Sequence, residues 1–379
     1  MKVQQSISRK TSDLANSIAA LQTVSPNLVI AFGSVDYFTP EAAAALKEGF
    51  PAAHLLGCST AGEISAAGVD DGTCVLTAVH FDKTTLRPAS TTLTGMEDSL
   101  AAGERLGAEL AAPDLRAILV FGPGVNINGS ALVEGIASKA GSTTPITGGL
   151  GGDGGAFKRT FTLGDTGIND NTVVALGLYG ESLQFGHGSF GGWEPFGPAR
   201  KVTKADGNIL YELDGEPALE VYKRYLGDHA KGLPASGLLF PFAMLGEDHS
   251  QIGLIRTILG IDETLGSLTL AGAIDLNGYL KLMHASTDKL VNGAEAAAEA
   301  AAEMNANSGE GLSILVSCVG RKLVMGNRVD EEVEAVGDVF GSGAVLTGFY
   351  SYGEISPFTP GTSCQLHNQT MTITCLGER

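Results

Sequence analysis

A nine-residue signature occurs twice in this chain, once near its beginning and once near its end. Residues 57–65 and 348–356 share the pattern Gly-x4-Gly-Glu-Ile-Ser. An apolar run precedes each copy, ending at Gly33 and at Gly320, and a helical pattern lies between the run and the signature. Self-similarity of this kind marks a repeated supersecondary unit. The sequence therefore predicts that one strand–helix–strand–turn unit is used more than once.

A third, looser copy lies between the first two. An apolar run ends at Gly122, a helical stretch follows, and the glycine-rich segment 148–153 closes the copy. Counted from each strand end, the acidic residues Glu63, Asp153 and Glu354 follow at similar distances. We predict that the three units superimpose with these acidic residues at equivalent positions. We also predict that Glu63 and Glu354 face each other, or a shared cavity, near the junction of the two halves.

Short apolar runs alternate with alanine-rich stretches along the chain, a pattern typical of strands that alternate with helices. We predict an α/β fold, with α+β as the alternative, built from repeated strand–helix–strand units with glycine turns in two packed halves. The halves are placed at residues 1–205 and 206–379, because 379 residues are long for one domain. The predicted strands are 27–32, 74–81, 117–121, 172–178, 312–318 and 370–375. The predicted helices are 12–23, 40–48, 99–111, 130–140, 217–226 and 293–305.

Composition narrows the class of protein. The net charge is −18 and no long basic run occurs, which disfavours nucleic acid and anionic lipid as partners. The five cysteines are scattered without a CxxC pair, a usage typical of reduced thiols. No apolar run reaches the length of a membrane span, and the first residues lack the apolar core of a secretory signal. We expect a soluble cytoplasmic protein and leave a homodimer open.

The three acidic residues allow two interpretations. Paired carboxylates serve acid–base chemistry or bind a cationic ligand group. Alternatively, each carboxylate accepts backbone N–H bonds from its own turn and only fixes that turn. The sequence contains no G-x-S-x-G elbow, Walker lysine or HExxH motif. We therefore predict a binding protein that is not an enzyme, and keep an enzyme that uses the acidic turns as the alternative.

The segment 185–198 combines aromatic residues with many glycines. It holds the only tryptophan, Trp193, together with His187 and Phe190. Aromatic side chains on a glycine-rich backbone often line a small-molecule site, and a neutral imidazole is a ligand for metal or haem. The alternatives are a packed connection between elements and a histidine that is simply hydrogen-bonded.

The motifs GCSTAGEI from Gly57, GGLGGD from Gly148, GGWEPFGP from Gly191 and GFYSYGEISPF from Gly348 occur in this order. Together with LHNQT from Leu366 they resemble the FIST family of bacterial sensory proteins, which have an N-terminal and a C-terminal FIST region. The resemblance implies ligand sensing, with amino acids or other metabolites as ligands. It also implies a haem-containing, nitric-oxide-sensing branch of stand-alone proteins, which act on histidine kinases or on cyclic-di-GMP enzymes (diguanylate cyclases and phosphodiesterases).

We therefore expect a small-ligand sensor in signal transduction. The leading ligand is haem with nitric oxide, and an amino acid or metabolite is the alternative. The expected ligand-binding residues are Glu63, Asp153, Trp193, Tyr352 and Glu354, and His187 is the expected metal ligand.

Overall fold

One pattern of eight elements, β-α-β-α-β-β-β-β, recurs three times along the chain. The structure is a computed structural model and describes residues 1–304, 311–341, 343–358 and 361–379. The first unit consists of β1 (Lys2–Ser8), α1 (Leu14–Leu21), β2 (Leu28–Gly33), α2 (Pro40–Gly49), β3 (His54–Ser59), β4 (Glu63–Ser65), β5 (Gly68–Asp70) and β6 (Cys74–His80). The second consists of β7 (Thr85–Thr92), α3 (Ser99–Leu110), β8 (Leu115–Gly122), α4 (Gly129–Ala140), β9 (Ile146–Leu150), β10 (Thr162–Gly164), β11 (Gly167–Asn169) and β12 (Thr172–Tyr179).

The third unit is interrupted by an insertion after its first strand, β13 (Leu183–Phe190). The insertion contains β14 (Glu194–Pro195), β15 (Arg200–Asp206), β16 (Ile209–Leu213), β17 (Glu216–Pro217), α5 (Ala218–Leu226), β18 (Phe242–Leu245), β19 (Gln251–Arg256), β20 (Ile258–Asp262), β21 (Ser267–Leu270) and β22 (Tyr279–His284). The unit then resumes with α6 (Thr287–Met304), β23 (Gly311–Cys318), the additional helix α7 (Val319–Met325), α8 (Asp330–Phe340), β24 (Ala344–Ser351), β25 (Gly353–Pro357), β26 (Cys364–His367) and β27 (Met371–Glu378).

Each unit keeps four strands for its own sheet and gives a hairpin to a neighbour. The strand orders of the three six-stranded sheets are β1-β6-β2-β3-β10-β11, β7-β12-β8-β9-β25-β26 and β13-β27-β23-β24-β4-β5. The hairpin of the first unit joins the sheet of the third, that of the second joins the first, and that of the third joins the second. This closed exchange gives a pseudo-threefold arrangement. It also interleaves the two halves of the chain, because strands from both halves share sheets.

The strand register shows why a glycine recurs at one position of each unit. β2 and β3, β8 and β9, and β23 and β24 are the parallel pairs, and Gly57, Gly148 and Gly348 occupy matching places in them. At each of the three, a Cβ atom would lie far inside contact distance of the carbonyl oxygen of the neighbouring strand. Only glycine allows this close approach of two backbones.

Three matching hydrogen bonds link the units in a ring just beyond these glycines. They are Ala61 N–H to Tyr350 O (2.8 Å), Tyr352 N–H to Leu150 O (3.1 Å) and Gly152 N–H to Ser59 O (2.8 Å). Each runs from one unit to the next in the same direction as the hairpin exchange. The turns after β3, β9 and β24 therefore meet around one pseudo-threefold axis.

The inner faces of the three sheets share one apolar core. The rings of Phe32 and Phe121 have centroids 5.3 Å apart, and Phe349 lies 4.7 and 5.8 Å from them. Helices cover the outer face of each sheet, with α1 and α2 on the first, α3 and α4 on the second, and α6 and α8 on the third. The caps are local: Thr39 accepts a hydrogen bond at the start of α2, and Asn128 does so at the start of α4.

The insertion forms a nine-stranded sheet with its own core, in which Tyr222 of α5 packs on Phe242.

The predicted α/β fold is confirmed, and each predicted strand and helix corresponds to an observed one, although residue 305 lies outside the described residues. The border between residues 205 and 206 falls at the end of β15 and stays a prediction. In the described part of the chain, no helix is both long and apolar enough to cross a membrane.

Candidate functional site

Glu63 begins β4 and is 1% exposed. One carboxylate oxygen accepts a hydrogen bond from the hydroxyl group of Thr60. The other accepts the N–H of Thr73 at 2.8 Å and the Thr73 hydroxyl at 2.9 Å. The carboxylate thus connects its own turn to the residue that precedes β6.

Glu354 occupies the equivalent position in β25, fully buried. Its oxygens accept the hydroxyl of Ser351 at 2.8 Å, the N–H of Thr370 at 3.1 Å and the Thr370 hydroxyl at 2.9 Å. The bonds of Glu354 therefore repeat those of Glu63 residue for residue, and the predicted equivalence of these two glutamates is confirmed.

The equivalence predicted for Asp153 is wrong. Leu163 in β10 pairs with Gly57 as Ile64 pairs with Gly348, so Thr162 takes the place of the glutamates. The turn of the second unit is longer, and Asp153 lies within it. Its carboxylate accepts N–H bonds at 2.7 to 2.9 Å from the three residues 157–159 of its own loop.

Tyr352 holds this loop against the third unit. Its hydroxyl donates to the carboxylate of Asp153 and accepts the N–H of Gly155 at 2.9 Å. Its ring stacks on Phe157 with centroids 4.0 Å apart. Although burial opposes ionisation, the Tyr352 hydroxyl and three loop N–H groups hold the pKa of Asp153 below its usual range.

A cavity of about 470 Å³ lies where the three units meet, and we call it the three-unit cavity. Its walls include Ser34, Glu63, Asp71, Asp153 and Lys322. The Lys322 ammonium group donates to the carbonyl oxygen of Ala61 at 3.0 Å and pairs with Asp71. Two predicted ligand residues, Glu63 and Asp153, thus share a cavity. Glu354 does not line it, so this cavity is not shared by the two glutamates as predicted.

Trp193 lines a different cavity, of about 330 Å³, between the third unit and the inserted sheet. We call it the junction cavity. The walls are mainly apolar and include Trp193, Ile255, Met283 and Phe358, with Ser189 and Lys281 among the polar residues. The Trp193 indole N–H is bonded to the carbonyl oxygen of Gln369 at 2.8 Å, which fixes the ring as part of the wall. A concave, mainly apolar cavity with few polar groups is the usual form of a small-molecule site.

His187 lies inside the strand β13, paired with Thr374, and is 3% exposed. The first part of the glycine-rich segment 185–198 is therefore regular strand and not a separate aromatic binding loop. Burial lowers the pKa of His187 to about 4, so the imidazole is neutral. Its Nδ1 has no partner among the described residues. The ring nevertheless lines neither the three-unit cavity nor the junction cavity. A neutral imidazole is a suitable ligand for haem. Because His187 is buried inside a sheet and lines neither cavity, its surroundings do not fit a macrocycle.

Arg321 connects the junction cavity to the third unit. Its guanidinium group pairs with Glu332 at 2.7 Å, and both side chains are fully buried. The same group donates to the carbonyl oxygens of Gly191, in the cavity wall, and of Leu290 in α6. On the same helix, Met325 packs in one apolar cluster with Trp193. Helix α7 therefore contacts the junction cavity through Arg321 and Met325, and the three-unit cavity through Lys322.

The sequence alone does not reveal Ser189, Lys281 or Arg321 as residues of these sites. Ser189 and Lys281 belong to the cavity wall only because β13 and β22 face each other across it, a long-range placement that local patterns do not show. The local signal for Arg321 is its position shortly after the buried strand β23, beside Lys322.

These features define a class: an α/β protein of three interleaved units with a mainly apolar cavity against an inserted sheet. The FIST N domain matches residues 27–216 and the FIST C domain matches residues 218–357. The chain belongs to the FIST family. FIST domains are sensory domains that bind small ligands in signalling.

Similar proteins include an uncharacterized protein of Mycobacterium tuberculosis, 29% identical over 219 residues, which are 54% of this chain and 55% of the relative. Another is an uncharacterized protein of Methanocaldococcus jannaschii, 37% identical over 93 residues, which are 24% of this chain and 17% of the relative. The chain thus spans about half the length of the mycobacterial relative and less than a fifth of the Methanocaldococcus one. Among solved structures, a cyanuric acid hydrolase from A. caulinodans aligns with a TM-score of 0.40 and 10% identity, over 100% of this chain and 98% of that chain.

Burial makes Glu354 a source of pH dependence. Desolvation raises its pKa to about 7, although three hydrogen bonds oppose the shift. Between about pH 4.5 and pH 7 the native state therefore holds a proton that the unfolded chain has lost, and stability falls as pH rises. Across this window we expect wild type to lose on the order of 3 kcal/mol of unfolding free energy relative to Glu354→Gln.

Urea denaturation at a series of pH values measures this difference. Glu63→Gln serves as the matched comparison, because burial also raises the pKa of Glu63, and it should show a change of the same sign. A difference between wild type and Glu354→Gln that stays constant with pH would contradict the assignment.

Proposed function

We propose that this protein is a sensor whose small ligand binds in the junction cavity. The observation that carries the proposal is the cavity itself, a mainly apolar space between Ser189 of the third unit and Met283 of the inserted sheet, with Trp193 in its wall. Ligand sites favour such junctions. A ligand there contacts both the inserted sheet and the third unit, so its binding free energy acts on their relative arrangement.

Helix α7 supplies the route by which binding is reported. Gly191 forms part of the cavity wall, and its carbonyl oxygen accepts a hydrogen bond from Arg321. The next residue, Lys322, holds Ala61 and Asp71 of the first unit. A shift of the wall at Gly191 therefore acts on α7 and on the loops of the three-unit cavity, where a signalling partner has an open surface to read.

The acidic turns have a structural role in this proposal. The carboxylates of Glu63 and Glu354 each accept three hydrogen bonds from side chains or backbone of the same unit, and Asp153 holds its own loop in the same way. Such bonds satisfy a buried carboxylate without any ligand. They favour a binding protein over the alternative of an enzyme that uses the acidic turns.

The finer assignments rest on the family resemblance. They are haem with nitric oxide as ligand, a histidine kinase or a cyclic-di-GMP enzyme as partner, and a cytoplasmic location, with an amino acid or metabolite as the alternative ligand. Absorption spectra of wild type and His187→Ala with added haemin test the haem assignment. A Soret band that depends on His187 would favour haem over a ligand in the junction cavity.

Filling the cavity tests the proposal itself. Ala243 of β18 lies in the cavity wall, so Ala243→Trp places an indole in the space. We expect wild type to bind the neutral apolar dye N-phenyl-1-naphthylamine in a saturable 1:1 complex, and we expect Ala243→Trp to lose at least about tenfold in affinity, because the site is filled. Fluorescence titration measures both. Ala44→Trp, on an exposed position of α2, is the control and should bind as wild type does. Equal binding by both variants would overturn the proposal.

A further inference from the structure

Lys281 occupies an unusual place on the inserted sheet. Its neighbours in β22, Leu280 and Leu282, belong to the core of the insertion. Successive side chains of a strand point to opposite faces, so Lys281 and Met283 face the junction cavity, which both line. A lysine on this inner face is only partly exposed to solvent.

No carboxylate pairs with Lys281 anywhere in the described part of the chain. The contrast with its surroundings is clear, because Lys289 at the same junction pairs with Glu194 at 2.9 Å. The whole chain carries 42 acidic and 24 basic residues. In spite of this excess, the residues that line the junction cavity include Lys281 and His249 and none of the acidic ones. Lys281 thus gives the wall a positive charge in a strongly acidic protein.

A second polar group in the wall also lacks a partner. The hydroxyl of Ser189 is buried, the residue is 5% exposed, and its oxygen has no hydrogen bond to any described residue. A buried polar group without a partner destabilises the folded protein. Ser189 stands on β13, in the wall contributed by the third unit, whereas Lys281 belongs to the inserted sheet.

We infer that the ligand of the junction cavity is an amphipathic anion, a small molecule with an apolar body and one acidic head group. The apolar walls, with Trp193, Met283 and Phe358, take the body. The ammonium group of Lys281 pairs with the head group, and the hydroxyl of Ser189 gains a partner on the ligand. The inference rests on the proposed function, since it names the class of ligand for the same cavity.

Two dyes that share one aromatic skeleton and differ in an acidic head group measure the contribution of that group to binding. 8-Anilinonaphthalene-1-sulfonate carries a sulfonate that N-phenyl-1-naphthylamine lacks. We expect wild type to bind the sulfonate more tightly. Lys281→Met keeps an apolar stem and should weaken sulfonate binding by about tenfold or more, because it removes a charge-assisted contact. Its affinity for the neutral dye should change much less, so the ratio of the two affinities should fall. Lys281→Arg should retain sulfonate binding, and Lys231→Met, at a lysine that is 82% exposed, is the control.

The outcomes separate this inference from the proposed function. If both dyes bind Ala243→Trp as tightly as wild type, the cavity is not the site and both proposals fail. If Ala243→Trp excludes both dyes but Lys281→Met leaves the ratio of the two affinities unchanged, the cavity stands and the anionic class is wrong. A loss specific to the sulfonate in Lys281→Met, with Lys231→Met unaffected, supports the inference.

Discussion

We expect alanine at any one of the three repeated glycines, Gly57, Gly148 or Gly348, to destabilise the protein by about 3 kcal/mol or more. At each position the new methyl group would collide with the carbonyl oxygen of the parallel neighbouring strand. Backbone atoms inside a sheet cannot move aside as a flexible side chain does. The cost at Gly148 is increased by its positive φ of 139°, which disfavours any residue with a Cβ atom.

Gly337→Ala is the matched control. Gly337 lies inside α8, and its nearest outside neighbour, a methyl carbon of Leu346, would be 3.8 Å from the new Cβ atom. Alanine should there stabilise the helix by about 0.5–1 kcal/mol. Thermal denaturation followed by circular dichroism measures all four variants. If one of the three glycines tolerated alanine as well as Gly337 does, the three units would not be structurally equivalent.

The second large effect concerns the buried ion pair. Glu332→Gln keeps the shape of the side chain but leaves the charge of Arg321 without a buried counter-charge, which costs about 3–5 kcal/mol. The expected loss of stability is large because both side chains are fully buried, and because Ser317 and Tyr350 also donate hydrogen bonds to the Glu332 carboxylate. We expect a correspondingly lower urea midpoint.

Glu331→Gln tests the same chemistry at the surface. Glu331 is the preceding residue of α8 and pairs with Arg328, with 38% and 51% of the two side chains exposed. An exposed pair of this kind contributes about 1 kcal/mol or less. Similar losses in Glu331→Gln and Glu332→Gln would show that burial of the Arg321 pair does not govern its energy.

The two close copies of the repeat could be predicted because their constraints are local. The glycine, the glutamate and the hydroxyl residue that bonds it all lie within one turn, so Thr60 with Glu63 and Ser351 with Glu354 leave a visible signature. The equivalence of Asp153 in the second unit was predicted wrongly, because spacing alone does not show the length of a turn. Its turn contains a longer loop, and Thr162 replaces the glutamate, bonding to the carbonyl oxygen of Thr172 at 2.7 Å.

Other features depend on contacts between distant parts of the chain. The exchange of hairpins places β4 beside β24 and β25 beside β9, and no local pattern states which neighbour a hairpin joins. Trp193, which the glycine-rich segment predicts as a ligand residue, lines a cavity, and its contact with a ligand stays a prediction. The opposite wall, with Lys281 and Met283, comes from the inserted sheet, and only the folded arrangement brings it there.

Hydrogen–deuterium exchange of the full chain, with and without 8-anilinonaphthalene-1-sulfonate, measures whether ligand binding in the junction cavity reaches α7. We expect the dye to slow exchange in α7 and in the following turn, residues 319–328, in wild type but not in Ala243→Trp. Helix α3, which packs on the second unit away from the junction cavity, should exchange equally in all samples. Bound dye that leaves exchange in residues 319–328 unchanged in wild type would contradict the claim that the junction cavity is a sensory site read through α7.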